Sequence, residues 1–108
     1  MLQFGAMVRE RRRYTTVAGD RDWIVSIAWD DSALDKVHWF EANVSAVAED
    51  DGSVFPFPPE IATFRIGEIE HPYREIVRID WGGDRDAALR HTIDSLHRRV
   101  IAYIERGH

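Results

Sequence analysis

Cysteine is absent from this 108-residue chain, which excludes disulfides, thiolate zinc sites and a thiol nucleophile. Lysine is nearly absent: Lys36 stands alone beside thirteen arginines, a bias that reads as codon usage and carries no functional message. No apolar run approaches the roughly 20 residues that span a bilayer. The basic stretch follows the short apolar start instead of preceding it, so the N-terminus does not read as a secretory signal. These absences predict a cytoplasmic protein with no membrane association. Gly5-Ala6-Met7 has the form of a cloning junction, and on that reading residues 1–6 precede a native start at Met7.

What is present suits one folded domain over residues 1–108. The chain is 44% hydrophobic and 11% aromatic, enough for a core without metals or cross-links. The net charge of −5 conceals an uneven distribution: +3 over residues 1–13, −9 over 14–81 and +1 over 82–108. An acidic middle repels nucleic acid and anionic lipid and favours either plain solubility or a basic partner.

Alternation of period two marks the strands. In WIVSIAWD, Trp23, Val25, Ile27 and Trp29 share one face; in VHWFEANVSAV, Phe40, Ala42, Val44 and Ala46 do the same. Asp and Ser between them predict a hairpin connection. MVRERRRYTTV reads as a charged edge strand, with Arg9, Arg11 and Arg13 on one face and Glu10 and Arg12 on the other. IATFRIGEIE alternates more weakly, with Ala62, Phe64 and Ile66 inward and a bulge suggested at Gly67. EIVRIDW reads as a further strand in which Val77, Ile79 and Trp81 face the core.

After Gly82 and Gly83 the period changes. Leu89, Ile93, Leu96, Val100, Tyr103 and Ile104 fall on one side of a helix over about residues 85–106. The stretch WGGDRD that precedes it resembles a phosphate-binding loop, but Asp84 and Asp86 occupy the position an anion would take. Asp84 therefore reads as an N-cap. The predicted fold is an α+β two-layer sandwich: a four- or five-stranded, mostly antiparallel sheet with one long C-terminal helix packed on one face. This order of strands followed by one helix resembles the layout of many small bacterial and phage proteins, a likeness of arrangement alone.

Candidate chemistry is sparse. His91 and His97 lie about 120° apart on the helix, so they do not converge on one ion, and no HExxH-like spacing exists. No serine sits in a nucleophile elbow, and no cofactor loop is present. The expectation is a protein that is not an enzyme, with no metal and no cofactor. Three interaction surfaces remain. Asp30, Asp31 and Asp35 fall in one predicted connection and Glu49, Asp50 and Asp51 in the next, at opposite ends of a meander. SVFPFPPEI carries Phe55 and Phe57 on a proline-stiffened path, either as a lid over the core or as a ridge for a partner. Ile24, Ala28, Val37, Trp39 and Ile76 lie on the sheet face away from the helix, which predicts an association surface, most simply a homodimer. The functional expectation is a non-catalytic protein-interaction module, such as an inhibitor, immunity or accessory protein of a bacterium or phage, that meets a basic partner; a structural homo-oligomer is the alternative.

Overall fold

The computed structural model describes residues 7–30 and 38–106. Three long strands, β1 (Met7–Thr15), β2 (Asp22–Asp30) and β3 (Trp39–Ala48), are followed by a short helix α1 (Pro59–Ala62). Then come β4 (Thr63–Gly67), α2 (Tyr73–Trp81) and the long helix α3 (Arg85–Glu105). The strands form one antiparallel sheet in the order β1-β2-β3-β4. The α+β arrangement expected from the alternation is thus what the chain adopts, with four strands among the described residues.

Alternation sorts each strand cleanly. Trp23, Val25, Ile27 and Trp29 of β2 and Phe40, Ala42, Val44 and Ala46 of β3 are buried against the helices. From α3, Ile93, Leu96, Val100 and Ile104 complete the core. Each such side chain contributes about 1.5–3 kcal/mol on burial, whereas exposed ion pairs contribute about 0–1 kcal/mol. Apolar burial therefore decides where α3 docks. Asp84 caps α3, its carboxylate accepting from the Ala87 N–H at 3.1 Å, and Asp86 follows in the first turn. Asp84→Ala is expected to lower stability by about 1 kcal/mol, read as a shift of the denaturation midpoint; no shift would show that the first turn is held by other contacts.

The segment EIVRIDW is helical, which corrects the strand reading. Pro72 precedes it, Gly82 follows in the left-handed conformation at φ 61°, and the Gly82 N–H returns to the Val77 carbonyl. Proline before and glycine after are helix boundary signals. A seven-residue run of alternating apolar residues satisfies a strand, but Tyr73 and Val77 also stand four apart, and these two are the buried residues of α2. Ile79, expected in the core, is 53% exposed.

The same correction narrows the expected apolar face to Ile24, Ala28 and Trp39. Ile76 belongs to α2, and Val37 lies outside the described residues. On the uncovered side of the sheet, Ile24 and Ala28 pair in register with Arg13 and Arg9 of β1 and with Val47 and Asn43 of β3. Trp39 is roofed by the Arg65 guanidinium, 3.8 Å from its ring centroid. The face interleaves apolar side chains with arginines and Asn43.

Candidate functional site

The sequence singles out two acidic clusters, and the structure places their described members at opposite ends of the sheet. Glu49, Asp50 and Asp51 lie in the turn after β3, beside the β1–β2 turn. They are answered within the chain: Arg13 reaches Glu49 at 2.9 Å, and Arg21 reaches Asp50 at 3.3 Å and Asp51 at 2.9 Å. The Ser53 N–H and hydroxyl, with Arg21 behind them, hold the Asp51 carboxyl below the usual carboxylate range. Part of the negative charge of this turn is thus answered inside the chain, with Arg13 shared between Glu49 and Asp22, the latter at 2.8 Å. Asp30 ends β2 at the opposite end of the sheet, while Asp31 and Asp35 lie outside the described residues.

The proline-stiffened segment folds as a lid. Phe55 is buried, its ring edge-on to Trp23 at 5.3 Å, and Phe57 packs on Phe55 at 4.7 Å and on Tyr103 at 5.8 Å. The Phe55 N–H donates to the Ala46 carbonyl at 2.9 Å, tying the lid to β3. Phe55 and Phe57 close one end of the core and form no exposed ridge.

Between β1 and α3 lies a polar cluster that periodicity alone did not reveal. Glu10 and Arg12 face the helix layer. Arg12 donates to Glu10 and to Asp94 at 2.6 Å each, and Arg90 approaches Glu10 at 3.6 Å. His97 is 2% exposed; its Nε2 stands 3.2 Å from Glu10 but outside hydrogen-bond geometry, and neither ring nitrogen has a hydrogen-bond partner among the described residues. Burial, assisted by the Arg12 charge, pushes the His97 pKa below its ordinary value, against the opposing pull of Glu10 and Asp94. The unfolded chain then takes up a proton that the folded chain refuses. The stability contributed by neutral His97 is therefore whole above about pH 6.5 and is lost as the pH falls toward the folded value. Thermal melts between neutral and mildly acidic pH should show this loss, and His97→Met should flatten it; an unchanged acid slope in the variant would contradict the assignment.

An open cavity of about 620 Å³ lies where β4 meets α2. Ile66 of β4 and Ile76 and Ile79 of α2 supply apolar walls, Ile69 stands at one end fully in water at 96% exposure, and Gly67 is also part of the lining. Two local features shape it. Gly67 has φ 114° and turns the chain out of β4, and the Tyr73 N–H then donates to the His38 carbonyl at 2.8 Å, anchoring α2 beside the start of β3. Tyr73 and Val77 bury toward the sheet, which leaves Ile76 and Ile79 turned toward the cavity. Glu70 and Asp80 stand at its rim with no ion-pair partner among the described residues, whereas Glu68 is taken by Arg65 at 2.7 Å. The groove thus combines exposed isoleucines with uncompensated negative charge. A strand over residues 75–81, as the alternation suggests, would leave no such groove; the flanking Pro72 and Gly82 are the sequence signals that point to it.

Its fold places this chain among small α+β proteins with an open antiparallel sheet under one long helix. No known protein family matches the sequence, and no curated protein and no solved structure shows significant similarity to it. Among the described residues no helix is long and apolar enough to cross a membrane.

Proposed function

We propose that this chain is a non-catalytic protein-interaction module of the cytoplasm that binds the basic surface of a partner protein, as an inhibitor, immunity or accessory factor would, and that the β4–α2 groove is its contact site. The observation that supports this reading most is the groove itself: Ile69 at 96% and Ile79 at 53% exposure adjoin one cavity, lined also by Arg65 and His71, whose acids Glu70 and Asp80 have no ion-pair partner among the described residues. Apolar contact supplies affinity, and the acidic rim selects Lys- or Arg-bearing partners and speeds their approach. A partner is favoured over a second copy of the chain because two copies would bring like-charged rims together.

The test compares the wild-type chain with Ile79→Asp and with the Asp50→Asn/Asp51→Asn double variant, each used as bait on extract of the source organism at low and moderate salt. A specific partner should be retained by the wild type and by the turn variant, lost by about tenfold or more with Ile79→Asp, and weakened as salt rises. Equal retention by Ile79→Asp would refute the groove. Light scattering of the free chain should show a monomer; a stable dimer broken by Ile79→Asp would instead assign the groove to self-association.

A further inference from the structure

β1 and β4 are the two outer strands of the sheet, and their sequences treat exposure differently. β1 carries five charged side chains in nine positions, the composition by which natural sheets keep a free edge from recruiting another strand. β4 reads TFRIG and has Arg65 alone. That guanidinium is folded over the Trp39 ring and held by Glu68, so it does not guard the edge. Neither proline nor lysine interrupts β4, and its register with β3 is regular from Thr63 to Gly67. Beyond the β3 ladder the structure records no backbone partner for Phe64, Arg65 or Ile66 among the described residues. The unguarded edge and the isoleucine groove are adjacent, since Arg65, Ile66 and Gly67 belong to both.

We infer that the partner enters as an extended segment that pairs with β4 as a fifth strand, an inference that rests on the groove being the contact site. Side chains of an added strand point alternately to the two faces of the sheet. Those on the helix side meet Ile66, Ile76 and Ile79, and Lys or Arg beside them meets Glu70 and Asp80. The fitting segment therefore carries β-branched or large apolar residues and Lys or Arg at alternate positions on the groove side, with other residues between them. Backbone hydrogen bonds give such a complex its affinity, and the apolar groove gives it side-chain selectivity.

The probe is a displayed library of random peptides about seven residues long, a typical strand length, selected on the full chain. The most enriched peptide is then synthesised in two backbone N-methylated forms, one set on alternate amides and the other on the intervening ones. Strand addition predicts enrichment of peptides whose apolar and basic residues fall together on alternate positions, the face turned to the groove. It also predicts an affinity loss of about tenfold or more for one N-methylated set, because only one set of amides faces β4, and little change for the other. Ile79→Asp and Ile69→Asp should each weaken binding; Ile69 is exposed enough that its variant keeps the fold, which a melt verifies. Loss with the isoleucine variants but none with either N-methylated set would keep the groove and overturn strand pairing. No enriched peptide, or peptides that bind both variants as well as the wild type, would overturn the groove together with the pairing.

Discussion

Phe40→Ala is expected to destabilise the domain by about 3–5 kcal/mol, a large part of the roughly 5–15 kcal/mol that holds a domain folded. Phe40 is fully buried, with its ring 6.4 Å from Trp29 and 5.6 Å from Tyr73, so it joins β2, β3 and α2 at one point. The truncation removes most of the side chain and leaves a cavity that three elements must collapse to fill. Chemical denaturation should show a large fall in midpoint with an unchanged slope. Ile79→Ala, at a position 53% exposed, should cost far less than Val77→Ala, where 7% is exposed. Equal costs at 77 and 79 would restore the strand reading of that segment, and a loss under about 1 kcal/mol for Phe40→Ala would contradict the packing described.

Gly67→Ala is the second large effect, expected at about 3 kcal/mol from backbone strain together with a disturbed hydrogen bond. At φ 114° an L side chain is strained whatever space surrounds it, and here there is little space. A Cβ would stand 2.7 Å from the His38 carbonyl oxygen and 3.0 Å from the Tyr73 nitrogen, the two atoms whose hydrogen bond anchors α2. Both are backbone atoms, so neither can swing aside as a side-chain tip would. The variant should melt lower and also lose partner binding, since Gly67 lies in the groove wall; Gly52→Ala, whose Cβ would meet nothing within 4 Å, supplies the control for positive φ alone. Equal losses at positions 67 and 52 would place the effect in backbone conformation and remove the close approach from the account.

Much of the fold could be read along the chain. Where one face is buried and the other wet, as in β2 and β3, period two is unambiguous, and the inward set from Trp23 to Trp29 and from Phe40 to Ala46 is as expected. The N-cap at Asp84 was legible because Asp-X-Asp after two glycines leaves no room for an anion. α2 was misread because seven residues are too few to separate period two from period 3.6 by apolar pattern alone; the flanking Pro72 and Gly82 carried the decisive information. The buried His97 and the Glu10–Arg12–Asp94 network were not legible, because they join residues more than eighty positions apart. The turn at Glu49–Asp51 looked like wholly free charge because Arg13 and Arg21, which pair with it, come from a different hairpin. The groove followed from two such events together: the helical state of residues 73–81 and the left-handed turn at Gly67.

The measurement closest to the central claim places a photo-crosslinking residue at Ile69, beside the groove, or at Val17, 88% exposed in the turn after the opposite edge strand. Each variant is expressed in the source organism and irradiated. The account predicts a discrete protein adduct from position 69 that disappears when Ile79→Asp is added, and none from position 17. No adduct from position 69, the same adduct from both positions, or one that survives Ile79→Asp would contradict it.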